Sequence, residues 1–136
     1  MANEWGPLSA LAGEWTGEGG LDVSFSHDRG AVHNTPYLEK VTMKPFGPVD
    51  NGSQHLYGLD YKTAMWRESE ENPFHTEVGY WLWDSATDEN KYLAAKASSI
   101  SYEVTVTLND ETTMLVMSEF AEPLAHTDRN TMHRLS

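Results

Sequence analysis

After Gly13, no stretch of this chain holds apolar residues at helical spacing long enough to make a helix, whereas two-residue alternation recurs along most of its length. Ile100, Tyr102, Val104, Val106 and Leu108 point one way, and Ser101, Glu103, Thr105 and Thr107 point the other. A period of two puts successive side chains on opposite faces of a strand, so the pattern demands a sheet with one covered face. The same alternation predicts strands over Glu14–Gly19, Tyr37–Phe46, His55–Arg67, Phe74–Trp83, Ile100–Leu108 and Thr113–Phe120, with a weaker one over Lys91–Ala97 and a polar one over Arg129–Leu135. Between them lie turn chemistries: Gly19-Gly20, Val49–Ser53 with its Asn-Gly centre, the charged run Glu68–Pro73, Asp84–Asn90, and Asn109–Glu111. Residues 21–35 are the least regular stretch, with loop chemistry at His27–Gly30 and Asn34–Pro36, and Pro45, Gly47 and Pro48 are expected to stop the strand that begins at Tyr37. One short helix is expected from Gly6-Pro7 to Ala12, with Gly13 just past its end. About eight short strands at regular spacing make an antiparallel sandwich or barrel, in one domain over residues 1–136.

Charge and composition exclude whole classes of function. The chain carries 21 Asp+Glu against 9 Lys+Arg, a formal net charge of −12. Such a surface repels phosphate backbones and anionic lipid headgroups, so neither nucleic acid nor membrane is an expected partner. There are no cysteines, which removes disulfides, thiolate metal sites and cysteine nucleophiles together. Met1–Trp5 lacks the basic-then-apolar layout of a secretory signal, and a cytoplasmic location is expected.

No motif of phosphate binding, of a serine nucleophile or of helical zinc ligation is present. What remains is aromatic and ionisable. His75 shares a strand face with Glu77, Trp81 and Trp83, and Tyr57 and Tyr61 share a face of the preceding strand. Imidazole among aromatics suits a cavity for a flat ligand, and a histidine hydrogen-bonded to Glu77 on an ordinary strand is the bland alternative. Glu39 interrupts the face of Tyr37, Val41 and Met43; a carboxyl there must be paired or protonated. Tyr37, Glu39, Tyr57, Tyr61, His75, Glu77, Trp81 and Trp83 are therefore the candidate ligand-binding residues, and no catalytic set is assigned.

Several segments together resemble the nitrobindin-like, haem-binding β-barrel family. Gly6–Gly19 is similar to its opening, a short helix leading into a Gly-x-Trp-x-Gly strand. Tyr37-Leu38-Glu39 resembles its aromatic-x-Glu strand, and Pro73–Trp81 its Pro-x-His-x-Glu-x-Gly-aromatic strand. Pro123–His126 resembles the segment that supplies the family's proximal histidine. The resemblance implies an all-β, antiparallel up-and-down barrel of calycin type, like fatty-acid-binding proteins, with one N-terminal helix. It further implies haem b in the barrel mouth, with His126 as the iron ligand. The stretch from Lys91 to Ile100 is shorter than in longer relatives, as if a strand pair were missing, and an incomplete barrel would have open edges.

Three readings follow. The first is a binding module that holds a small apolar or planar ligand, haem being the named candidate. The second is an enzyme on a small ligand, using His75 as a base oriented by Glu77. The third is a homodimer paired through open barrel edges, with Trp5, Trp66 and Trp83 as exposed interface anchors and no cavity.

Overall fold

In a computed structural model, residues 3–26, 30–84, 102–120 and 126–135 are described. A 3-10 helix (Asn3–Leu11) leads into strands β1 (Gly13–Ser26), β2 (Ala31–Asn51), β3 (Gln54–Arg67), β4 (His75–Asp84), β5 (Tyr102–Asp110), β6 (Thr113–Phe120) and β7 (His126–Arg134). These seven strands form one antiparallel sheet in the order β4-β3-β2-β1-β7-β6-β5. A meander gives this order when its first strand pairs with its last, as the all-β barrel expectation requires. The expected strand at Lys91–Ala97 and the turn from Ser85 to Asn90 lie outside the described residues.

One face of the sheet buries the core. Leu8 and Leu11 of the helix meet Trp15 of β1, Val41 and Met43 of β2, Leu59 of β3, Met114 of β6 and Met132 of β7. The helix is too short to stand alone and is held by what it covers. Trp5 donates its indole N–H to Gly58 O at 3.1 Å, and the Trp83 ring lies where a side chain on Gly6 would be, 2.5 Å from an ideal Cβ. Gly6 has φ 52, a left-handed conformation that glycine adopts without strain, and it kinks the helix there. Trp5 and Trp83 thus pack against the core instead of standing exposed as interface anchors, and Trp66 is half-buried.

The strands run further than their punctuation suggests. β1 continues through Leu21–Ser26, and β2 includes Asn34–Pro36 and persists to Asn51. Prolines fail to stop β2 because of where its neighbours end. Pro36 lies one residue before the β2–β3 ladder begins at Tyr37, and Pro45 lies two past the end of the β1–β2 ladder at Met43. Each has a neighbour on one side only, so its missing N–H interrupts one ladder at most. Gly47 and Pro48 sit in the register shift between Phe46 and Val49. β7 likewise starts three residues before the expected Arg129.

The seam between first and last strands is clamped by Arg134. Its guanidinium stacks over the Trp15 ring, 4.2 Å from the centroid, and donates to Ala10 O at 2.7 Å, to Glu111 O at 3.0 Å and to Ala12 O. The helix end, β1, β7 and the β5–β6 turn therefore share one side chain. Lysine has a single ammonium and cannot span these carbonyls. Arg134→Lys is expected to cost about 1–3 kcal/mol of unfolding free energy in urea titration. An unchanged midpoint would show that the clamp is incidental.

Candidate functional site

The inner face has two chemically different ends. Under the helix it is apolar, with Leu59 and Met43 in the core, Trp81, Trp83 and Trp5 packed against it, and Tyr57 4.8 Å from the Trp5 ring. At the opposite end, where β1 and β3 finish and β2, β4 and β7 begin, it is polar. Asp22, Thr35, Glu39, Thr63 and Asn130 are all buried there.

Glu39 is the centre of this polar end. It is 4% exposed and points from β2 across both neighbouring ladders. Thr63 of β3 donates its hydroxyl to Glu39 Oε2 at 2.7 Å, and Asn130 Nδ2 of β7 reaches Glu39 Oε1 at 3.4 Å. Asn130 can cross β1 only because Gly17 has no side chain: an ideal Cβ there would lie 2.5 Å from Asn130 Nδ2. Gly20 makes the same allowance for the Tyr37 ring, at 2.5 Å. The register shifts between Gly17 and Gly20, so inward positions are Trp15 and Gly17 before the bulge and Gly20 and Asp22 after it. Glu39 is thus paired as its position demands, through a threonine and an amide. Burial pushes its pKa up to about 7; the bonds from Thr63 and Asn130 oppose the shift, and the charges of Asp128 and Glu77 add to it. Burial, followed by the charges of Asp128, Glu39 and Asp22, pushes the Tyr37 phenol well above its usual range, so it stays a neutral hydroxyl. Asp22 and Asp128 are register partners across β1 and β7, two acids facing the same interior.

A second polar set lines β3 and β4. His75 Nε2 lies 3.3 Å from Glu77 Oε1, and Tyr61 donates its hydroxyl to Glu77 Oε2 at 2.9 Å. The Tyr61 and Trp81 ring centroids are 6.1 Å apart. The hydrogen bond with Glu77 holds His75 above its ordinary pKa, and the bond from His75 holds Glu77 below its own. Such an imidazole is disposed to keep its proton, so this set offers a hydrogen-bond donor to anything in the interior. In the alternative reading as an enzyme His75 would act as a base; the carboxylate beside it favours the acid form.

All eight candidate binding residues lie on the inner face by register, but not in one place. Tyr61, His75 and Glu77 come together, and Tyr37 and Glu39 share the polar end. Tyr57 and Trp83 sit under the helix, away from both groups, with Trp81 between. His126 opens β7, its backbone paired with Phe120, and its side chain lies outside the described part of the structure. Among the described residues, no cluster of three metal-ligating side chains exists. Thr63, Asn130, Asp22 and Asp128 also belong to this face and are not among the residues expected from the sequence. Thr63 was within reach, since it occupies the alternating position between Tyr61 and Met65.

Residues 4–117 match the family model of the THAP4-like, heme-binding beta-barrel domain. The chain belongs to this family. The match agrees with the resemblance seen in the sequence, and it ends before β7, so His126 lies beyond it. Among solved structures, the S-type phycobiliprotein lyase CPES from Guillardia theta is similar with a TM-score of 0.56 at 10% identity, over 95% of this chain and 90% of that one. At that identity the likeness is one of fold. No curated protein matches the chain.

Two outcomes test this description. Gly17→Ala is expected to force the Asn130 amide off Glu39 and lower stability by about 1–3 kcal/mol in urea unfolding; a fully stable variant would show that the close approach is not required. Glu39 also makes stability depend on pH. Its folded pKa, about 7, is raised above the ordinary value of 4.5. The resulting stabilisation is fully present below about pH 4.5 and is lost as pH rises through about 7, at most about 3 kcal/mol. Glu39→Gln is expected to gain melting temperature over wild type at pH 8 and little at pH 5; equal effects at both would refute the assignment.

Proposed function

We propose that this chain is a ligand-binding barrel that holds a planar tetrapyrrole against its inner face, with haem b as the first candidate. The observation that carries this reading is uneven burial along that face. Trp15, Tyr37, Val41 and Met132 are buried by the protein itself, whereas Tyr61, Glu77, Trp81 and Trp83, on the same face of β3 and β4, are only half-buried and His75 is exposed. Aromatic and polar groups turned inward but left uncovered are what a flat ligand of mixed polarity needs. Membership of a heme-binding barrel family supports the choice of tetrapyrrole.

The residues fit haem in distinct roles. Tyr61 and Trp81 would contact the ring, and Tyr37 and Phe74, with centroids 6.2 Å apart, would stand at the polar end. His75, disposed to stay protonated by Glu77, has no lone pair to give iron in that form and would donate a hydrogen bond to a propionate or to a small molecule on the metal. The role of iron ligand falls to His126 on the strength of the family resemblance. Bound haem would supply an iron centre able to take a small exogenous ligand.

Haemin titration of the ligand-free protein tests the reading. A saturable one-to-one Soret band is expected, lost in His126→Ala and retained with a shift in His75→Ala. Loss in His75→Ala alone would move the iron to β4, and no band in wild type would remove haem from the reading.

A further inference from the structure

Of the chain's 5 tryptophans and 6 tyrosines, Tyr61, Trp81, Trp83, Tyr57 and Trp5 follow one another along the inner face. The Tyr61 and Trp81 ring centroids are 6.1 Å apart. Trp83 is the next inward residue of β4 after Trp81, and it lies directly across the β3–β4 ladder from Tyr57. Side chains placed so have Cβ atoms about 5 Å apart. Tyr57 meets the Trp5 ring at 4.8 Å and the His55 ring at 5.3 Å. His55 is exposed near the start of β3. The run therefore reaches from Tyr61, deep along the strand, to the protein surface.

Its inner end is chemically distinct. A phenol that gives up an electron becomes a strong acid, so it oxidises readily only where its proton has somewhere to go. Tyr61 donates its hydroxyl to Glu77 Oε2 at 2.9 Å, and among the described tyrosines it alone is bonded to a carboxylate. His75 Nε2, 3.3 Å from the other oxygen of Glu77, holds that carboxylate in place. Directly across the ladder from Tyr61 is Gly79, and no described atom lies within 4 Å of where a side chain there would begin. Tyr61 thus borders open room on the face assigned to the ligand. An indole can lose an electron without moving a proton, which suits tryptophans to the positions between.

We propose that Tyr61 is a redox-active tyrosine and that Trp81, Trp83, Tyr57 and Trp5 carry electrons to it from the surface, so that a ligand oxidised on the inner face is reduced by a one-electron donor outside. This rests on the reading of that face as the ligand site. In the inner step the Tyr61 O–H bond breaks. The electron passes to the ligand, which a peroxide has oxidised, and the proton passes to Glu77 Oε2, leaving a neutral tyrosyl radical beside a neutral carboxyl. In the refilling step an electron crosses from Trp81 to Tyr61, and the proton returns from Glu77 to the phenol oxygen. Each oxidised ring is then reduced by the next one outward. At Tyr57 or Trp5 the last electron comes from a small reductant such as ascorbate, which is oxidised by one electron and releases its proton to water.

The test has a ligand-free arm and a loaded arm, both on the full chain. In the first, flash-generated tris(bipyridine)ruthenium(III) takes electrons from the protein surface, and freeze-quenched samples are read by electron paramagnetic resonance. A tyrosyl component is expected that Tyr61→Phe removes and that Glu77→Gln and Trp81→Phe each cut by more than half. Tyr80→Phe, which alters an exposed ring off the run, is expected to leave it in place. In the second, haemin-loaded protein is mixed with hydrogen peroxide and then with ascorbate. The same Tyr61 component is expected, and its decay in ascorbate is expected to be several-fold slower in Trp81→Phe than in wild type. A signal unchanged by Tyr61→Phe overturns the proposal, as does one that either Glu77→Gln or Trp81→Phe leaves whole. Haemin bound without a tyrosyl signal after peroxide overturns it too. Failure of haemin to bind defeats the proposed function instead, and the ligand-free arm then decides. Should the variants fail to fold, wild type in deuterium oxide decides: tyrosyl formation is expected to slow, and an unchanged rate refutes transfer of the proton to Glu77.

Discussion

The pairing of β1 with β7 is the constraint on which the rest depends. It brings the first strand of the chain beside the last, and it is the contact with the longest loop of chain to close. Local alternation cannot secure such a contact, because it fixes which way side chains face and says nothing about which strand lies alongside. Here the work is done by large side chains that belong to both ends. Trp15 fills the centre of the core, donates its indole N–H to Leu11 O at 2.9 Å, and carries the Arg134 guanidinium on its ring. With that seam fixed, Asn130 lies within reach of Glu39, and the polar end of the interior exists.

Two chemistries are separated along one sheet face without any change of architecture. The helix covers one end with Leu8 and Leu11, and Trp5 and Trp83 pack half-buried against the core there. At the other end hydrogen bonds take the place of apolar contact: Thr63 to Glu39, Asn130 to Glu39, Ser24 Oγ to Asp22 at 3.0 Å. Such interiors are costly when partly satisfied, and this one is left one partner short at Asn130 Oδ1. The aromatic wall of β3 and β4 runs between the two ends, so a ligand lying along it would touch apolar rings and ionisable groups at once.

Much of this was visible in the amino-acid order. The alternation of β3, β5 and β6, the Asn51-Gly52 turn and the shared face of His75, Glu77, Trp81 and Trp83 follow from period and turn chemistry, and they are where the structure puts them. The length of β2 was hidden, because Asn34–Pro36 read as loop and Pro45 and Pro48 as stops, and only the ladders show that each proline sits where a neighbouring strand begins, ends or shifts register. Asp22 was hidden by the bulge: alternation carried straight through from Trp15 would send it outward, and the extra residue between Gly17 and Gly20 turns it in. The Glu39–Asn130 contact was beyond reach, since 91 residues separate the partners and Gly17, which makes room for it, has no side chain to signal its purpose.

The extent of β2 has a consequence of its own. At 21 residues it is the longest strand, and its two halves have different companions: Ala31–Pro36 pair with β1 alone, Lys44–Asn51 with β3 alone, and Tyr37–Met43 with both. Each neighbour is therefore slid along β2 in opposite directions. A sheet whose strands step sideways in this manner cannot lie flat across its hydrogen bonds; the offset winds it obliquely, as closure into a barrel demands. The prolines mark where each neighbour lets go, so the residues that seemed to interrupt the strand record the pitch at which the wall is wound.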